Sequence, residues 1–324
     1  GAPCLWEPWA PSPGDKVCRR TRNLYKHVLG TDVVFEEINH DLEIRFRWTL
    51  SSCQSYGIVR RCELANLGAR AVTVTYLDGW HNLMPPGITR DLYNRFSYLC
   101  RAYMRHEYVA DPGLGIFTVN AQITDRAEPV ESLRAAAAWS IGSPKPLVQL
   151  CTRHIEDFRI AGRTSSGTEV RGEFGAYLVS DEVTVEAGST HEWVMAADTG
   201  LSHPDLLRLV RERQEPEQLQ RQVSNAVAEN RQRIRLLLAG ADADQATAAR
   251  TTAVHHRANV LFNCMRGGTF PDGYTAPRED MKIYLRERNR EILDRHRDWI
   301  SGLPATCTLD EVRIAADKQK DPDL

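Results

Sequence analysis

Between positions 41 and 48 apolar and charged side chains alternate one by one. Leu42, Ile44, Phe46 and Trp48 fall on one side, with Glu43, Arg45 and Arg47 on the other. That is the period of a β-strand, whose successive side chains point to opposite faces. Such a strand packs one face on a core and shows the other to water or to a second domain. Residues 71–77 are rich in β-branched and aromatic types, which also suits a strand. Similar runs occur at 57–64, 98–109, 115–123, 133–140, 146–151, 170–179, 182–186 and 191–196. Turn signals separate them: Asn66-Leu67-Gly68, Asp111-Pro112-Gly113, Ser166-Gly167 and Ala187-Gly188. About ten to twelve strands at this spacing predict a large antiparallel β-sandwich over residues 1–200. No helical crossover separates the strands, which argues against a doubly wound parallel sheet.

Beyond residue 200 the period becomes helical. Ser202-His203-Pro204-Asp205 is a helix start, with Pro in the first turn and an acid near the positive end of the dipole. Pro216-Glu217 opens a second helix that ends at Ala239-Gly240. Its apolar stripe is Leu219, Val223, Val227, Ile234 and Leu237. A third helix is predicted over 244–265, stopping at Gly267-Gly268. A fourth starts near Thr275 and carries Met281, Leu285, Ile292, His296 and Trp299 on one side, ending before Gly302-Leu303-Pro304. The expected organisation is thus a sandwich domain at 1–200, a helical linker region at 201–303, and a following element or tail at 304–324.

Composition adds exclusions. The 324 residues are 42% hydrophobic and 26% charged, which is globular rather than disordered. Lys and Arg number 41 against 43 Asp and Glu, a net charge of −2, so nothing draws the chain to nucleic acid or an anionic membrane. No apolar run has the length of a membrane helix. The start, Gly1-Ala2-Pro3-Cys4-Leu5-Trp6, lacks the pattern of a secretory leader. Eight cysteines at 4, 18, 53, 62, 100, 151, 264 and 307 include no C-x-x-C pair, so the expectation is reduced thiols in a cytoplasmic protein and no metal site.

Motifs of common enzymes are absent: there is no G-x-S-x-G, P-loop, H-E-x-x-H or dinucleotide fingerprint. Glycosidases escape such a search, since their two carboxylates lie far apart in sequence. Three segments draw attention. Asp78-Gly79-Trp80-His81-Asn82 follows a strong strand and gathers an acid, an indole, an imidazole and an amide. Aromatic faces stack on sugar C–H surfaces while such polar groups satisfy hydroxyls, so a loop here suits carbohydrate. The segment also reads as an ordered turn with Asp78 bonding the backbone and Trp80 plugging the sandwich. His255, Asn259 and Asn263 share a helix face and suggest a buried hydrogen-bond network or a polyol pocket. Arg266 and Asp272 flank a Gly- and Pro-rich loop that either clamps a ligand or simply caps a helix. Asp125 and Glu128 read as ion-pair partners of Arg126 and Arg134 rather than as an acid/base pair.

Four stretches resemble a known architecture. They are Phe46-Arg47-Trp48 before Tyr56-Gly57-Ile58-Val59-Arg60; Glu63-Leu64-Ala65-Asn66-Leu67-Gly68; Asp78-Gly79-Trp80; and Asn259-Val260-Leu261-Phe262-Asn263-Cys264-Met265-Arg266-Gly267-Gly268. Together they are similar to the N-terminal part of glycoside phosphorylases of the cellobiose phosphorylase type and of related glucoamylase-like hydrolases. The resemblance implies a galactose-mutarotase-like super-sandwich leading through linker helices to an (α/α)6 barrel that carries the catalytic carboxylate. The barrel would begin near or after residue 304 and so be absent here, on the same protein or a companion chain.

The reading expected from the sequence is therefore the non-catalytic front of a glycoside hydrolase or phosphorylase (a glycosyltransferase in the phosphorylase case) acting on β-linked glucosides. Asp78, Trp80, His81, Asn82, Arg266 and Asp272 are its expected sugar contacts, with no cofactor and with a homodimer as a further expectation. The alternatives are a standalone carbohydrate-binding or scaffolding sandwich, and a mutarotase-type epimerase using a histidine and a Glu or Asp of the sandwich face, with His81, His106 and Glu107 as its candidates.

Overall fold

The computed structural model describes residues 4–10, 18–120, 133–165, 167–241, 243–245, 247–267, 274–322 and 324. The chain forms two compact units, Gly1–Asn230 and Arg231–Leu324.

Unit 1 begins with four strands joined as successive antiparallel neighbours: β1 (Arg20–Lys26), β2 (Val33–Asn39), β3 (Ile44–Cys53) and β4 (Gly57–Asn66). Then come β5 (Val72–Leu83), α1 (Arg90–Tyr103), β6 (Met104–Val109), β7 (Leu114–Val119), β8 (Ala135–Ile141), β9 (Leu147–Cys151) and α2 (His154–Ala161). They are followed by β10 (Glu169–Arg171), β11 (Gly175–Val185), β12 (Thr190–Leu201), α3 (His203–Glu212) and α4 (Pro216–Gly240), within which the division between units falls. Among the described residues the strands build a nine-stranded sheet, β1-β2-β3-β4-β12-β8-β7-β6-β10, and a three-stranded sheet, β5-β11-β9.

The alternation along each strand splits the apolar residues between two cores. Phe46, Cys62, Trp193 and Met195 of the large sheet meet Tyr76, Val148, Leu150, Tyr177 and Val179 of the small one. The opposite face of the large sheet, through Val59, Trp139, Val194 and Ala196, meets Leu209 of α3 and Leu219, Val223 and Val227 of α4. β8 is buried along its whole length because both faces are covered, and four successive alanines let both layers approach it closely. Ile44 and Phe46 are core residues with Leu42 and Trp48 packed beside them, as the alternation over 41–48 requires.

Several elements depart from the sequence reading. Residues 98–103, expected in a strand, end α1. Thr89 caps that helix by accepting from the Leu92 amide at 3.1 Å, and its inner side packs Leu92, Tyr93 and Cys100 against Met104 and Val119. β1 and β2 were not expected, because β1 exposes most of its side chains and β2 carries two glutamates in a row. Asp78 to Leu83 form no loop; they continue β5, paired with β11 from Asp78↔Val179 to Leu83↔Gly175. α3 starts where Ser202 and Asp205 close a capping box, the Ser202 amide donating to Asp205 Oδ2 at 2.8 Å.

Unit 2 contains the end of α4, then α5 (Arg250–Met265), β13 (Thr275–Pro277), α6 (Arg278–Arg288), α7 (Arg290–Arg295), α8 (Arg297–Gly302), β14 (Thr306–Thr308) and α9 (Leu309–Asp317). β13 and β14 pair antiparallel. Leu238, Ala243, Ala253, Ile292, Ile300, Leu303 and Cys307 are buried. The single helix expected from Thr275 is three short ones. Asn289 leaves helical geometry at φ −152°, ψ 81°, and its side chain caps α7 by accepting from the Ile292 amide at 3.2 Å. His255 and Asn259 are exposed, so the polar stripe of α5 is a solvated face rather than a buried network. Among the described residues no helix is long and apolar enough to cross a membrane.

Candidate functional site

Tyr76, Asp78 and Trp80 occupy alternate positions of β5 and face the large sheet. Arg60 on β4 ion-pairs with Asp78 Oδ1, while Asp78 Oδ2 accepts from Trp193 Nε1 at 2.8 Å and from the Cys62 thiol at 3.3 Å. Burial, and then the Asp78 charge, push the Cys62 thiol well up, so it stays protonated and donates. The Arg60 guanidinium also lies 5.5 Å above the Trp48 ring, and Trp193 stacks on Tyr76 with centroids 4.6 Å apart. Both carboxylate oxygens of Asp78 are thus engaged by the protein itself. Gly79 allows this close pairing: a Cβ there would stand 2.0 Å from the Tyr177 carbonyl. Trp80 is half-buried against the same core.

His81 points the opposite way from Asp78 and is exposed. Asn82 is exposed and left-handed, at φ 57°. Both lie near the end of the small sheet where Gly175 pairs with Leu83 on one side and Cys151 on the other. That register brings together the end of β5, the end of β9 and the start of β11. α1 follows the first, α2 follows the second, and Glu173-Phe174 lead into the third. Loops gathered at one end of a sandwich are where such folds carry function.

The side chains there form a polar cluster around Glu173. Its carboxylate lies 3.6 Å from Arg101 Nη2 and 3.6 Å from Arg153 Nη1, and it is 36% exposed. Arg101 sits 4.8 Å above the Phe174 ring, which Tyr93 contacts at 5.6 Å. His106 Nε2 donates to the Glu173 carbonyl at 2.9 Å and fixes the backbone beneath. On α2, His154 Nδ1 bonds Asp157 Oδ2 at 3.0 Å. A partly exposed carboxylate flanked by two guanidinium groups can accept hydrogen bonds from neutral hydroxyls, and the rings beside it offer apolar contact. Sequence reasoning missed Glu173, Arg101 and Arg153. The Gly172-Glu173-Phe174-Gly175 step was the available signal, hidden inside a run read as one strand.

The epimerase reading loses its second histidine. His106 has no exposed surface, and burial pulls its pKa down despite the hydrogen bond to the Glu173 carbonyl. Glu107, the next residue of β6, faces the other way and ion-pairs with Arg105 at 2.8 Å. The two side chains cannot serve one ligand.

Arg266 lies in unit 2 as the C-cap of α5, exposed, with its guanidinium 5.1 Å from the Phe262 ring. Asp272, Asp125 and Glu128 lie outside the described residues. Among the described residues no group of three or more His, Cys, Asp or Glu is placed to hold a metal ion.

Residues 270–324 match the family model described as glycoside hydrolase family 149 insertion domain 1. The match begins just ahead of β13 and runs through α9, so it lies wholly within unit 2. No curated protein matches the chain.

Proposed function

We propose that this chain is a non-catalytic part of a carbohydrate-active enzyme that hydrolyses or phosphorolyses β-linked glucosides. The observation that carries the reading is the match of residues 270–324 to an insertion domain of a glycoside hydrolase family. The large antiparallel sheets of unit 1 agree with a galactose-mutarotase-like sandwich in the same enzyme. Within unit 1, His81 and Asn82 are the proposed sugar contacts of the original set, joined by Glu173, Arg101 and Arg153. Asp78 and Trp80 support them from the core side of β5. Arg266, on unit 2, is proposed as a separate contact, as is Asp272.

Calorimetric titration of the chain with glucose, cellobiose, a short β-1,2-glucan and phosphate tests the site. Binding of a sugar, weakened about tenfold or more by Glu173→Gln or His81→Ala, is the expected result; each contact of this kind is worth roughly 1–3 kcal/mol. Absence of sugar binding overturns the sugar-contact role. Incubation with cellobiose, with and without phosphate, tests the rest: release of glucose or a glucose phosphate by this chain alone overturns the non-catalytic reading.

A further inference from the structure

The N-terminal segment 4–10 forms a strap over β1 and β2. Trp6 Nε1 donates to Glu37 Oε1 at 2.8 Å, the Trp9 amide donates to Glu37 Oε2 at 2.8 Å, and Arg22 Nη2 donates to the Ala10 carbonyl at 2.7 Å. The Trp9 ring packs edge-on against Phe35 and Trp48. Between strap and sheet lies a cavity of about 60 Å³. The strap lines it with Cys4, Leu5, Trp6, Glu7 and Ala10, and the sheet side with Cys18, Arg20 and Asn39. Cys18 lies two residues ahead of Arg20, which opens β1 and is the register partner of Asn39. Asn39 is 1% exposed; its Oδ1 accepts from the Asp41 and Leu42 amides, while its Nδ2 has no partner.

Cys4 and Cys18 therefore line one small cavity, the first from the strap and the second from the sheet side. They are also the accessible ones: Cys4 is exposed and Cys18 half-exposed, whereas Cys53, Cys62, Cys100 and Cys151 of the same unit are buried. Accessibility decides which cysteines an oxidant reaches, and a shared cavity is where two of them can meet.

We propose that Cys4 and Cys18 are a redox pair that closes to a disulfide under peroxide and locks the strap onto the sheet. One thiolate attacks the peroxide oxygen, breaking the O–O bond and leaving a sulfenic acid and water. The second thiol then attacks that sulfur and expels a second water. Both sulfurs are oxidised, the peroxide is reduced, and the net products are one S–S bond and two waters. The unpartnered Asn39 amide offers a hydrogen bond to the sulfenic oxygen formed in the cavity. Reduction by a dithiol breaks the S–S bond and returns the strap to its hydrogen bonds with Glu37 and Arg22 alone.

The test uses the whole chain. Treatment with equimolar hydrogen peroxide should remove the mass of two hydrogens, and non-reducing peptide mapping should recover one linked pair containing Cys4 and Cys18. The melting temperature should rise on oxidation and return with reductant, and Cys4→Ser and Cys18→Ser should each abolish the mass change and the rise. Both side chains keep exposed surface, so neither variant threatens folding. Sulfinic or sulfonic acid at either cysteine without linkage, dimers joined through Cys4, or a link to any other cysteine would overturn the pair. A linked chain whose melting temperature does not move would overturn the strap lock.

Discussion

Asp78 shows how a residue chosen for its chemistry can be consumed by the fold. Its two oxygens take Arg60, Trp193 and Cys62, three groups from two strands of the opposing sheet. Removing one member of a buried ion pair leaves an uncompensated charge, which costs about 3–5 kcal/mol. Asp78→Ala should therefore lower unfolding stability by about that amount in urea, whereas exposed His81→Ala should stay within about 0.5 kcal/mol. Equal effects of the two would refute the division between core and surface roles. The residue types at 78–82 were legible, and so was a strand before them. Which way each side chain points was not, because it depends on where β5 stops, and Gly79 extends the pairing by admitting the Tyr177 carbonyl. His106 adds a pH dependence. Its pKa is lowered in the folded state, so the unfolded chain binds the proton more readily. Its stabilisation is present above the unfolded value of about 6.5 and declines as pH falls toward the lower folded value. Melting curves across that window should show the decline, and His106→Asn should flatten it.

At the scale of the element, β2 is the strand that pattern reading could not find. Glu36 and Glu37 face opposite sides, and both are buried. Burial pushes each carboxyl up, yet each ends below the ordinary carboxylate range. For Glu36 the hydrogen bonds from Asn23 and Arg47 and the Arg47 charge outweigh burial. For Glu37 the Trp6 indole, the Trp9 amide and Arg22 do so. A depressed carboxylate contributes stability that is fully present above its unfolded value, about 4.3, and is lost as pH falls through the folded one. The strap should therefore detach in acid before the cores melt, seen as a change in tryptophan fluorescence from Trp6 and Trp9. Glu37→Gln should bring that change to neutral pH; a fluorescence unchanged by the substitution would show that the strap is held by its ring contacts alone. α1 was misread for a related reason. Its aromatic run 98–103 suits a strand, but the Thr89 cap and the packing of Leu92, Tyr93 and Cys100 select a helix.

At the scale of the molecule, two units have their own buried residues. Unit 1 has cores on both faces of the large sheet, one against β5-β11-β9 and one against α3 and α4. A chain of residues 1–240, which keeps all of α4, should therefore unfold cooperatively and retain the near-ultraviolet signal of Trp139 and Trp193. Loss of that signal on truncation would show that unit 1 does not stand alone. Leu219→Ala, at a fully buried position of the second core, should cost about 2–5 kcal/mol in that fragment as in the whole chain.

The amino-acid pattern by itself determined the class of the structure. Apart from 98–103, which end α1, the runs before residue 200 among the described residues fell largely in antiparallel strands; those after it became helices, the one from Thr275 in three pieces, and Ser202 and Pro216 marked real starts. Those features are local: a period, a cap or a turn residue acts within a few positions of itself. Only the tertiary structure decided which strands share a sheet, that buried glutamates sit in β2, and that Glu173 rather than Asp78 lies open at the end of the small sheet. It also decided that Cys4 and Cys18 line one cavity. These depend on partners far away along the chain, and burial, pairing and charge compensation exist only once those partners have met.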